Sequence, residues 1–171
     1  MNSPPSPLTD RFRSVLDYRQ LAPTYDASCR RIGHIRDAAI DALQLQPGQT
    51  VLDIACGTGA TLLELSRRVG LQGKVIGIDH SPDMAAVARQ RISASGAQNI
   101  ELLVEPIESA RIRHKADALL FCFAHDVLQS RDALCNVFSL ARFGARVVTV
   151  GAKLADSRWA GPLNAWIHWR G

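Results

Sequence analysis

The sequence predicts an α/β fold: a doubly wound parallel sheet of about five strands with helices on both faces. Three observations predict it. Short apolar runs alternate with segments whose apolar residues recur at helical spacing. The short runs are almost continuously apolar, as strands buried on both faces are. The first of them passes through a Gly-x-Gly turn straight into a helix, Val51-Leu52-Asp53-Ile54-Ala55-Cys56-Gly57-Thr58-Gly59-Ala60-Thr61. That arrangement places a nucleoside pocket at the carboxyl edge of a parallel sheet.

The elements follow in order. Residues 1–9 are rich in Pro and Ser and read as a disordered tail. Residues 10–46 form an amino-terminal lid and helix. The helix spans 27–45, with Ile32, Ile35, Ala39 and Leu43 on one stripe, and Pro47-Gly48 ends it. The core occupies 47–156. Its strands are 50–55, 74–79, 100–104, 117–124 and 145–151. A helix over 59–69 carries Leu62, Leu63, Leu65 and Val69. A second begins with Ser81 as cap, Pro82 in the first turn and Asp83 at the positive end of the dipole, and Gly96 stops it. A third spans 131–142. Residues 157–171 are a Trp-rich carboxyl-terminal segment with Trp159, Trp166 and Trp169. These rings require burial, on the body, against a partner, or in a fold that the chain stops short of completing.

Composition narrows the function classes. A length of 171 residues fits one domain with a real core. The net charge is +4, but the arginines scatter over helix faces without aromatic platforms, which argues against nucleic acid. No apolar run approaches the ~18 residues of a membrane span, and the start lacks the basic and apolar regions of a secretion signal. Cytoplasmic residence is the expectation, and the composition suggests a bacterial source. Cys29, Cys56, Cys122 and Cys135 show neither C-x-x-C pairing nor metal-ligand spacing, so no metal is expected and they read as reduced, buried thiols.

The candidate site is built on backbone and carboxylates. Gly57 and Gly59 let the chain approach a ligand where a Cβ would clash. Asp79, at the end of Val75-Ile76-Gly77-Ile78, can accept hydrogen bonds from both hydroxyls of a ribose. His80 and Met84 follow it, and Met84 can lie against an adenine ring or pack the helix. Asp53 separates the cofactors. A carboxylate beside the turn repels a pyrophosphate, and the third glycine of a dinucleotide turn is replaced by Leu62. S-adenosylmethionine carries a sulfonium and an ammonium group and no phosphate, so an acid there favours it.

With these residues in view, the chain resembles the class I S-adenosylmethionine-dependent methyltransferases. Residues 51–59 look like their first motif almost letter for letter, and Val75 to Met84 look like the segment that follows. Tyr18 and Tyr25-Asp26 are similar to the amino-terminal lid of the small-molecule enzymes of the ubiquinone and menaquinone type. The resemblance implies a Rossmann-like sheet and S-adenosylmethionine as cofactor, with S-adenosylhomocysteine as product. Asp53, Ala55, Cys56, Gly57, Thr58 and Gly59 would contact its methionine part and Asp79 its ribose. The resemblance also implies Glu105, Pro106 and Ile107 near the adenine, although this segment departs from the family's usual pair. Phe123, His125 and Asp126 would face the methyl group and the acceptor. His125 is the acid–base candidate, since imidazole titrates near neutrality; a purely structural role at the start of a helix is the alternative.

The implied function is methyl transfer to a small molecule by direct displacement at the sulfonium methyl. The absence of an Asn-Pro-Pro-Tyr-like segment after strand four favours an oxygen or carbon acceptor, and Phe121, Phe123 and the tryptophans hint at an aromatic or lipid-like one. The alternative is a cofactor-binding but inactive or truncated chain that serves as a partner or regulatory subunit; a nicotinamide dehydrogenase is a distant third. The family's final β-hairpin is missing, which leaves the edge of strand five open. A homodimer, a partner chain, the Trp-rich segment, or a longer chain of which this is a fragment would each cover it.

Overall fold

The computed structural model describes residues 33–151. The tail, the lid tyrosines Tyr18 and Tyr25, and the Trp-rich segment lie outside the described residues. Within them the order is α1 (Gly33–Ala42), β1 (Thr50–Ile54), α2 (Leu62–Val69), β2 (Lys74–Ile78), α3 (Pro82–Ser95), β3 (Ile100–Leu103), β4 (Ala116–Cys122), α4 (His125–Gln129), α5 (Arg131–Leu140) and β5 (Ala141–Val150). All pairings are parallel, in the order β3-β2-β1-β4-β5.

Side chains alternate across a strand, so each strand feeds two cores. Leu52, Ile54, Ile76, Ile78, Leu119 and Phe121 face Val127 of α4 and Ala133 and Val137 of α5. Val51, Val75, Ala118 and Leu120 face Ile40 and Leu43 of the α1 side and Leu62, Leu65 and Val69 of α2. Helices therefore cover both faces, as expected. Phe121 is 1% exposed, so this ring belongs to the core and does not line the cleft described below.

The expected cap of α3 is present: Ser81 Oγ accepts from the Met84 N–H at 3.4 Å, and Gly96 ends the helix in the left-handed region at φ 69. Several boundaries differ from expectation, among them the start of α2, at Leu62 instead of residue 59. Strand four stops at Cys122 because Phe123 turns to φ 60, and the short helix α4 follows. The third long helix ends at Leu140, and β5 begins at the next residue, four before its expected start. The buried stripe of α1 runs through Ala39 and Ile40, whereas Ile35 is half-buried.

Candidate functional site

The carboxyl ends of β1, β2 and β4 converge on a two-lobed cleft. Ile54 and Phe121 are partners in the register of β1 and β4, and Ile54 and Ile78 in that of β1 and β2. The three following turns therefore open side by side. Ala55 (φ 55) and Phe123 (φ 60) leave their strands in the left-handed region that side chains normally avoid. Such deviations persist where the surrounding structure dictates them, and they gather at functional sites. Ala55, Gly57, Cys122 and Phe123 line both lobes.

The first lobe, about 360 Å³ including space open to solvent, adds Arg36, Asp53, Cys56, Thr58, Ala60 and Thr61 to that shared wall. Alternation along β1 puts Asp53 on the same face as Val51, which is the face covered by α1 and α2. There it bonds Thr61 from the start of α2 and shares the lobe with Arg36 from α1. Arg36 sits four residues before Ile40 and extends the buried stripe of α1 to the cleft. Asp53 is 1% exposed. The Thr61 hydroxyl donates to its Oδ2, while its Oδ1 has no partner. Burial pushes the Asp53 carboxyl up to about 7; the Thr61 bond and the Arg36 charge oppose that rise, and Asp79 adds to it. The Cys56 thiol is held well above its ordinary value by burial and by the two nearby acids, so it stays protonated.

The second lobe, about 450 Å³ including space open to solvent, adds Asp79, His80, Ser81, Met84 and Asp126. Asp79 ties the two turns together: Oδ2 accepts from the Gly57 N–H at 2.7 Å and Oδ1 from the Ser81 N–H at 2.8 Å. Each oxygen keeps a further lone pair for a ligand. Burial raises the Asp79 carboxyl, and the two backbone bonds oppose the rise. Among the described residues, the two buried side-chain polar atoms without a partner are Asp53 Oδ1 and His80 Nε2, and both belong to cleft residues. Orphaned buried polar atoms are costly, so this pair marks where a polar ligand is wanted.

The glycines of the turn have separate jobs. A Cβ on Gly57 (φ 54) meets nothing within 4 Å, and Gly57 lines both lobes. A Cβ on Gly59 meets Leu62 Cδ1 at 2.9 Å and Ala88 Cβ at 3.1 Å, so its smallness lets α2 and α3 approach. Gly59 lines neither lobe, and nor do Glu105, Pro106, Ile107 and His125. Ile107 is 8% exposed and packs in the core beside α5. His125 is exposed at the start of α4, with its ring against Gly151. Sequence reasoning missed Arg36, Ala60, Thr61, Ser81 and Cys122 as lining residues. A charged residue on the apolar stripe of α1 was the one available signal for Arg36. Among the described residues, no group of three or more His, Cys, Asp or Glu could hold a metal ion, and no helix is long and apolar enough to cross a membrane.

A doubly wound sheet whose open edge carries a Gly-bent turn and two buried acids defines a nucleoside-binding protein. Residues 51–144 match the methyltransferase domain family, and the chain belongs to the class I S-adenosylmethionine-dependent methyltransferases. It is 40% identical over 79 residues to a 2-phytyl-1,4-naphtoquinone methyltransferase of Thermosynechococcus vestitus, covering 43% of this chain and 35% of that protein. It is 43% identical over 68 residues to a demethylmenaquinone methyltransferase of Shouchella clausii, covering 40% and 29%. The chain thus spans about a third of the length of these curated relatives. A SAM-dependent methyltransferase from Aquifex aeolicus superposes with a TM-score of 0.66 over 84% of this chain and 76% of that one, at 23% identity, a likeness of fold.

The family's cofactor is S-adenosylmethionine, and the residues present fit it. Two lobes joined at Gly57 suit a ligand with a nucleoside at one end and an amino acid at the other. The unpartnered Asp53 Oδ1 beside Arg36 offers one site for an ammonium and one for a carboxylate.

Proposed function

We propose that this chain binds S-adenosylmethionine across the cleft and directs its methyl group to a small, quinone-type acceptor at an oxygen or carbon atom. The observation that carries the reading is the pairing of buried acids, one in each lobe, on either side of a glycine bend with open space beyond it. Two acids 26 residues apart in sequence and close in space repel each other, and a cation-bearing, phosphate-free nucleoside relieves that repulsion.

When bound, the cofactor supplies an electrophilic methyl group on a sulfonium, already a good leaving group. The chain's part is placement, which can account for much of the barrier reduction. Arg36 and Asp53 hold the amino-acid end, Asp79 and His80 the ribose, and Met84 the base. Phe123 and Cys122, common to both lobes, stand where the ligand's sulfur would lie and shape the approach of the acceptor. Asp126 lines the second lobe from its exposed rim, and His125 beside it stands outside both linings. The names of the relatives support a naphthoquinone-like acceptor, since those proteins are quinone methyltransferases.

Calorimetry with S-adenosylhomocysteine tests the first half: micromolar-range binding is expected, and its absence on folded protein refutes the reading. The second half is tested with labelled S-adenosylmethionine and a panel of reduced naphthoquinones, catechols and amines. Label is expected in the quinol products, and label confined to amines overturns the acceptor assignment.

A further inference from the structure

We propose that Arg91, which lies outside the cleft, is a positioning residue for its first lobe: from α3 its guanidinium holds the Thr58 carbonyl and so fixes the orientation of the glycine bend. The inference rests on the cofactor reading above and deepens it, because it makes the amino-acid end of the ligand depend on a contact that the nucleoside end does not need.

The bend contains a joint that sterics leave loose. Thr58 stands between Gly57 (φ 54) and Gly59 (φ 71). The peptide joining Thr58 to Gly59 turns about a residue with no Cβ to hinder it, so its orientation has to be fixed by bonding. Hydrogen bonds hold it on both sides. The Gly59 N–H donates to the Cys56 carbonyl at 2.9 Å, within the bend itself. The Thr58 carbonyl of the same peptide accepts from Arg91 Nη1 at 3.1 Å, across 33 residues of sequence. The second bond comes from a separate helix and from a charged donor, which makes a hydrogen bond roughly twice as strong as a neutral one. Thr58 is 2% exposed, and both it and Cys56 line the first lobe, whereas Arg91 lines neither. A rotated peptide would lose both bonds and recast the wall that Thr58 presents to that lobe.

The helix α3 is placed for this task. Met84, Ala88 and Arg91 recur at helical spacing and share one face. Met84 lines the second lobe. Ala88 lies so near the bend that a Cβ on Gly59 would come within 3.1 Å of its own Cβ. One turn further on, the half-buried Arg91 reaches the Thr58 carbonyl. The same helix thus touches the second lobe with a side chain of its own and shapes the first through the bend.

Calorimetry on the full chain tests this with two ligands. S-adenosylhomocysteine carries the amino-acid end. 5′-Methylthioadenosine shares the nucleoside and the thioether and lacks that end. Arg91→Met keeps a long apolar stem and removes the donor, and Arg91→Lys keeps a charged donor. In Arg91→Met the affinity for S-adenosylhomocysteine is expected to fall about tenfold, as the loss of one bond from a charged donor would give, with that for 5′-methylthioadenosine held within about twofold. Arg91→Lys is expected to recover part of the loss. A residue that merely seats α3 would behave differently: Met84 rides on the same helix, so a displaced helix weakens both ligands alike. If Arg91→Met does not fold, Arg91→Lys alone decides, since its selectivity between the two ligands must shift in the same direction. Equal losses for the two ligands, no loss for either, or a loss as deep in Arg91→Lys as in Arg91→Met overturns the inference and leaves the cofactor reading intact. Failure of both ligands to bind the unsubstituted chain overturns both.

Discussion

The two ends of the sheet treat their carboxylates in opposite ways. At the amino end, Asp117 of β4 has both oxygens occupied: Oδ2 accepts from the Thr50 N–H at 2.8 Å and Oδ1 from Arg142 at 2.6 Å. At the same end but beside β3, Asn99 donates to the Gly70 carbonyl at 2.9 Å and knits the loops below the sheet. At the carboxyl end, Asp53 keeps an oxygen bare, His80 keeps a nitrogen bare, and Ala55 and Phe123 hold left-handed backbone. One end satisfies its polar groups internally, and the other leaves them for something else to satisfy. The difference separates a structural acid from a binding acid more sharply than residue type does, since both are aspartates on neighbouring strands.

Substitutions can break this contrast or sharpen it. The largest effect is expected from Gly57→Val or Asp79→Ala. The first puts a branched side chain at φ 54 with its Cβ projecting into open cleft, and the second frees the Gly57 and Ser81 N–H groups. Each is expected to weaken S-adenosylhomocysteine more than 100-fold by calorimetry, about 3 kcal/mol or more.

Asp53→Asn should cut affinity about tenfold at pH 8 and yet stabilise the ligand-free chain. The sign follows from linkage. The folded carboxyl titrates at about 7 against 3.8 unfolded, so the folded state holds an extra proton between those values. Its contribution to stability is present below ~4 and is lost as pH rises through 7. Removing the charge is therefore worth on the order of 1–3 kcal/mol at pH 8 and little at pH 4. Thermal melts across that range check this, and a lower Tm for the variant at pH 8 contradicts it.

At the other end, Asp117→Ala should cost about 1–3 kcal/mol of stability, through an orphaned Thr50 N–H and a lost ion pair, with no change in ligand affinity. Denaturant titration alongside calorimetry reads both. The smallest effect belongs to His125→Ala. This residue sits outside both lobe linings, so a fall of only a few-fold in kcat with KM for the cofactor unchanged is expected, and a loss beyond 100-fold would make it a principal base.

Much of this was legible in the sequence because it is local. Val51 to Thr61 encodes strand, bend and helix within eleven residues, and Ser81-Pro82-Asp83 encodes a helix start within three. Asp53, Asp79 and Met84 could be placed in the cleft on that basis, and the structure brings them there. What escaped depends on tertiary packing. Arg36 shares a lobe with Asp53 because α1 packs over β4 and β5 on the face of the sheet that Asp53 points to, and no local pattern states that. The start of β5 was hidden because the helical pattern runs on to residue 142. In the fold, Ala141 already pairs with Ala116, and an irregularity in register between Ala116 and Ala118 absorbs the difference. The packing role of Gly59, whose lack of a side chain lets two helices touch, also depends on tertiary neighbours that its Gly-x-Gly pair does not reveal.

The position of Asp79 carries a consequence for anyone dissecting this cleft. By fastening the Gly57 amide with one oxygen and the Ser81 amide with the other, it acts as a keystone under an arch. Take it out, and the curvature of the neighbouring chamber slackens along with its own. Truncation at this residue therefore reports on the whole vault, and only a ligand analogue trimmed on the sugar can isolate what the carboxylate does for the sugar alone.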